Sequence, residues 1–145
     1  MDAINILSRW LHVASAVVLV GGFCLLALAV EPALRGKPDG EALAAEMRQR
    51  FKRLAHTATG LLLITGFYNY LALAIPKGRA AGIAGPYNGV MGAKMLLGLA
   101  VIGISITLLA PVRLTPEHRN RWLAANVVLG LAVVAAGAVL RRMWP

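Results

Sequence analysis

Four segments without Asp, Glu, Lys or Arg constrain this chain more than any other feature: residues 11–30, 54–75, 95–110 and 122–140. At a helical rise of about 1.5 Å per residue, runs of this length match the roughly 30 Å hydrocarbon core of a bilayer. Backbone amides have no water partner there, so each crossing segment must bond internally as a helix. With flanking turns included, the predicted spans are 4–30, 54–75, 89–110 and 120–141 of one transmembrane domain. Of the 145 residues 59% are hydrophobic and 14% charged, which suits a membrane protein better than a soluble domain. The first segment runs too far and lacks an Ala-x-Ala exit, so it reads as a retained helix rather than a cleaved signal.

The net charge of +9 sits in the connections between the apolar runs, which argues for topology and against nucleic acid. Loops 1 and 3 hold Arg35, Lys37, Arg48, Arg50, Lys52, Arg53, Arg113, Arg119 and Arg121. The other side holds Arg9, Lys77, Arg79, Arg141 and Arg142, with Lys94 nearby. The excess places loops 1 and 3 in the cytoplasm and both termini outside, in a multi-pass protein of a bacterial-type inner membrane. Cys24 is the only cysteine, so neither a disulfide framework nor a thiolate metal cluster is available.

Pro32 predicts that the first helix ends at "EP". "EALAAEMRQRFKRLAH" places Leu43, Met47, Phe51 and Leu54 at helical spacing, an amphipathic helix on the cytoplasmic surface leading into span 2. "AIPKGRAAGIAGPYNG" reads as an outer loop, with Asn88 capping the third helix, and Thr115 caps the fourth before Pro116. Glycines on every span permit close helix approach, giving an all-α four-helix bundle. Ala132 and Ala136 form a small-xxx-small pair that suits an internal contact or a homo-oligomer.

Helical phase sorts the polar groups into four stripes that face one another. They are Ser8, His12, Ser15, Leu19, Gly22; His56, Thr59, Leu63, Gly66, Tyr70; Lys94, Gly98, Val101, Ser105; and Trp122, Asn126, Gly130, Val133, Gly137. His12, Tyr70 and Lys94 share the outer half. On the cytoplasmic half a second group gathers: His56, Asn126, Trp122, Arg53 and Arg113. Trp10, Trp122 and Trp144 read as interfacial anchors. A bilayer-embedded ionisable residue is a functional candidate, although Lys94 is also placed to snorkel and His12 to bond a neighbouring helix. Met91 and Met95, one turn apart, either pack or offer thioethers to haem iron or Cu(I).

"WLHVASAVVLVGGFCLLALAVEPAL", "RFKRLAHTATGLLLITGFYNYLAL", "GAKMLLGLAVIGI" and "LAANVVLGLAVVAAGAVL" resemble, in order, the four helices of the CopD domain of bacterial copper-resistance and copper-uptake proteins. They are also similar to the HemJ-type protoporphyrinogen IX oxidases, four-helix chains of about this length. The chain departs from the pattern at Leu19, where a Trp is usual, and at Asn126, where an acid is common; the Tyr-x-Pro-Arg stretch is absent. The resemblance implies that His12 and Lys94 work together, with haem b as cofactor and a porphyrin as substrate. His12 then ligates the iron, Lys94 or Arg9 meets a propionate or substrate carboxylate, Lys94 and Tyr70 stand as the catalytic pair, and an electron-acceptor partner completes the turnover. Copper held by His12, Met91 and Met95 is the alternative, and a non-catalytic subunit of a membrane complex is a third.

Overall fold

The computed structural model describes residues 3–80, 82, 84–110 and 114–142. These form four long helices and no strand: α1 (Ala3–Leu34), α2 (Gly40–Asn69, continued without a break by Tyr70–Ala74 and Ile75–Ala80), α3 (Ala84–Leu109) and α4 (Pro116–Arg142). The fold is an all-α bundle. Three helical segments, Ala3–Leu34, Asn88–Leu109 and Pro116–Arg142, are long and apolar enough to cross a membrane. The chain is therefore a multi-pass membrane protein. The second predicted span is the most polar, being interrupted by His56, Thr57, Thr59, Thr65, Tyr68 and Asn69, and it runs antiparallel along α1.

The distribution of polarity is inverted relative to a soluble bundle. Ile4, Leu28, Ile64, Leu96 and Val128 point outward and are more than half exposed, whereas Ser8, Ser15, Thr65, Ser105 and Asn126 are buried. An apolar exterior costs nothing in lipid, and the polar interior bonds across helices. Trp10 and Trp122 lie on the outer surface as interfacial anchors do; Trp144 is outside the described residues.

The helices pair as α1 with α2 and α3 with α4, all neighbours antiparallel. The core around Leu19, Phe23, Leu26 and Ala55 includes Leu108 and Leu123 from the second pair, which locks the pairs at the end bearing the α1–α2 and α3–α4 connections. Phe51 lies edge-on to Phe23, ring centroids 5.3 Å apart. Gly22 makes room for that ring, since a Cβ there would overlap Phe51.

Neither proline ends its helix as the sequence predicts. In α1 a π turn spans Leu26–Val30, closed by the Glu31 N–H bonding back to the Leu26 carbonyl. In α2 a second spans Tyr70–Ala74, closed by the Ile75 N–H on Tyr70. Each stands immediately before an X-Pro pair, Glu31-Pro32 and Ile75-Pro76. The widened turn moves away the carbonyl that the pyrrolidine ring would strike, and the missing proline N–H falls where the ladder is already rearranged. Of the predicted outer loop, Ile75–Ala80 is helical and α3 is under way from Ala84, so Asn88 lies inside α3 rather than capping it. Thr115 caps α4 as expected, its Oγ1 accepting the His118 N–H at 3.4 Å. The amphipathic segment is the first half of α2 and runs on into the second predicted span, as expected.

Candidate functional site

The α1–α2 pair is joined by a ladder of polar contacts. Tyr68 Oη donates to Asn5 Oδ1 at 2.9 Å, Ser8 Oγ to Asn69 Oδ1 at 3.0 Å, and His12 Nδ1 lies 3.1 Å from Thr65 Oγ1. The third rung fixes a protonation pattern. Thr65 Oγ1 donates its only proton to the Leu61 carbonyl, 2.5 Å away. It can meet His12 Nδ1 only as an acceptor, so Nδ1 carries the hydrogen and the neutral ring keeps its lone pair on Nε2. The ring rests on Gly66, where a Cβ would stand 3.1 Å from His12 Cε1.

Lys94 approaches from the other pair. Its Nζ lies 3.6 Å from where a Cβ would be at Gly137, so the missing side chain on α4 gives the ammonium its place. The contacts Val20 with Gly130 and Glu31 with Arg119 step evenly along antiparallel α1 and α4. They set His12 level with Ala138, one residue from the Gly137 that Lys94 Nζ approaches. No ion pair among the described residues includes Lys94. One turn along α3, Gly98 is half-buried, yet a Cβ there would meet no atom within 4 Å.

Tyr70 and Met91 pack on Ala74 and Leu140 in a small core at the end bearing the termini. Arg9 and Met95 are on the outer surface. Among the described residues no three His, Cys, Asp or Glu side chains cluster as a metal site would require.

Three of the four predicted stripes face inward, apart from the exposed Trp122 at the head of the fourth. The stripe on α2 is out of phase over its first half: Ala55, Ala58, Leu62 and Thr65 turn inward, while His56 and Leu63 are exposed and only the later members Gly66 and Tyr70 pack inside. His56 bonds the Lys52 carbonyl of its own helix at 2.7 Å. The small and hydroxyl-bearing residues of α2 lie on two adjacent faces, and the tighter face, rich in Ala, packs. The second polar group therefore does not assemble. Arg53 and Trp122 point outward, Arg113 is outside the described residues, and Asn126 alone is buried. Asn126 Nδ2 donates to Ser105 Oγ at 3.1 Å, and its Oδ1 is a buried acceptor without a protein donor among the described residues.

An ion cluster that the sequence reading missed ties three helices together. Glu31 closes α1, Glu41 and Arg48 lie two turns apart on one face of α2, and Arg119 opens α4. Arg48 Nη1 pairs with Glu31 Oε1, and Arg48 Nη2 lies 2.8 Å from Glu41 Oε1. Arg119 holds Glu41 through both terminal nitrogens at 3.0 and 2.9 Å and reaches Glu31 at 3.5 Å. Burial raises the Glu41 pKa, but hydrogen bonds from Arg119 and Arg48, with their charges, outweigh it and hold the carboxyl below its ordinary range. Glu41 and Arg48, seven residues apart, were the available signal. No family model, curated protein or solved structure matches the chain.

Proposed function

We propose that this chain is a haem b-binding, redox-linked membrane protein of the CopD and HemJ type, in which His12 would hold the iron. The observation that carries the reading is the Thr65 hydroxyl, which commits Nδ1 of His12 to a hydrogen bond and leaves the Nε2 lone pair free for iron. The residues present fit the group. Glycines 66 and 137 keep side-chain bulk away from the imidazole and the ammonium, and helix-bundle interiors are common sites for such cofactors. Haem b, when bound, supplies one-electron redox chemistry at its iron. Lys94 supplies a positive charge for a propionate or for a substrate carboxylate, and Tyr70 a phenol toward the same end. A porphyrinogen is the substrate class suggested by the family resemblance, with six electrons leaving for an acceptor partner.

Absorbance of the purified protein tests the reading. A Soret band lost in His12→Ala, with helicity retained, is the expected result. Stoichiometric copper without a Soret band would reassign the lone pair to Cu(I), and a folded protein that holds neither would leave a packing subunit. Rescue of a haem-synthesis-deficient strain tests the enzymatic part: failure despite good expression removes it.

A further inference from the structure

The connection end carries a cleft of about 360 Å³ that the His12 site does not use. One wall is basic, with Arg48 and Lys52 from α2 and Arg119 from α4, joined by the amide of Gln49. The other wall is apolar, formed by Leu108 and Leu109 at the close of α3 and by Leu114 beyond it. Among the described residues the only lining carboxylate is Glu41. Glu41 and Glu31 together balance Arg48 and Arg119, so among the described lining residues one positive charge is left over, on Lys52. Lys52 is half-buried, and no side-chain hydrogen bond or ion pair among the described residues engages it or Gln49. The cleft also has a defined depth. Leu109 is the last residue of the apolar segment Asn88–Leu109, so the apolar wall ends where hydrocarbon gives way to headgroups.

We propose that this cleft seats the phosphate of an anionic phospholipid, with Lys52 and Gln49 on the phosphate oxygens and Leu108, Leu109 and Leu114 against the first carbons of the acyl chains. A phosphodiester monoanion matches the uncompensated charge on Lys52, and the two walls match the two halves of an amphiphile at that depth. Basic pockets between helices at a membrane surface recognise phospholipid headgroups in this way. Arg48 and Arg119 are tied to carboxylates and shape the basic wall. Lys52 is the group free to respond. This inference is independent of the cofactor at His12.

The test uses the full chain, freed of lipid in detergent and returned to phosphatidylcholine nanodiscs with titrated phosphatidylglycerol; bound lipid is counted by native mass spectrometry. The wild type should retain phosphatidylglycerol in preference to phosphatidylcholine. Lys52→Gln should weaken retention about fivefold, and Gln49→Glu more strongly. Lys37→Gln removes the same charge at the same end but outside this cleft and should leave retention unchanged. Circular dichroism establishes that each variant is folded. Equal retention of the two lipids, an unaffected Lys52→Gln, or an equal loss in Lys37→Gln would overturn the proposal. Glycerol 1-phosphate binding as tightly as the lipid would overturn it too, by giving the phosphate a soluble source.

Discussion

Thr65 fixes the tautomer of His12. Its hydroxyl proton goes to Leu61 and its lone pair receives Nδ1–H at 3.1 Å, so one helix carries the imidazole and its neighbour determines which nitrogen is left open. Thr65→Val keeps the shape of the side chain and removes the acceptor. Retention of the His12 ligand should fall by about 10- to 100-fold, as it does when the partner behind a metal-bound histidine is lost. Stability should fall by only about 1–2 kcal/mol. Cofactor titration and thermal unfolding of the same preparation separate the two effects.

Lys94→Met preserves length and apolar contact on Gly137 while removing the charge. If the ammonium meets a propionate or substrate carboxylate, cofactor or substrate affinity should drop at least tenfold, with the helical spectrum unchanged. Equal affinity in the variant and the wild type would leave the lysine reaching for lipid phosphate at the interface.

Gly22→Ala should destabilise the bundle by about 1–3 kcal/mol, because the new methyl overlaps the Phe51 ring and that ring is held edge-on by Phe23. Gly21→Ala, at a position open to lipid, should have little effect. Denaturant titration in detergent compares the two.

Glu31→Ala leaves Arg48 and Arg119 facing each other with one carboxylate between them. A loss of about 3 kcal/mol is expected, as when one partner of a buried pair is removed. The exposed pair of Glu46 and Arg50, at 2.6 Å, provides the control: Glu46→Gln should cost under about 0.5 kcal/mol. Unfolding midpoints at two salt concentrations check both, the buried cluster being the less sensitive to salt.

The Glu41 carboxyl lies below its ordinary value of 4.5, so the folded state holds its proton less tightly than the unfolded chain. Its contribution to stability is therefore complete above pH 4.5 and is lost as pH falls through the lower, folded value. Glu41→Gln should flatten that acid limb and leave the curve near neutrality parallel to the wild type. Thermal midpoints from pH 3 to 7 measure the difference.

The architecture was legible because charge-free runs of this length leave few alternatives to a helical bundle. The levels of His12 and Lys94 were legible too, because a constant rise converts residue number into depth. Phase was harder to read. On α2 the polar residues cover two neighbouring faces, and only packing against α1 turns Ala55, Ala58 and Thr65 inward rather than His56. The prolines misled for a related reason: Pro32 and Pro76 forbid an ordinary α-turn but permit a π turn, and nothing local in sequence distinguishes that outcome from termination. The ion cluster depends on Arg119, 78 residues from Glu41, a separation at which sequence patterns give no guidance.

The π turn of α1 amounts to a one-residue insertion in an otherwise regular helix. Each residue of an α-helix advances about 100° around the axis, so without the widened turn the same number of residues would carry Glu31 through that angle, off the two arginines; the bulge absorbs the extra residue and returns the carboxylate to them. Deleting any one of Leu26–Val30 would thus restore a regular helix and leave Glu31 in place, so an alignment gap at this point would mark the loss of the π turn with the fastening of the far end kept.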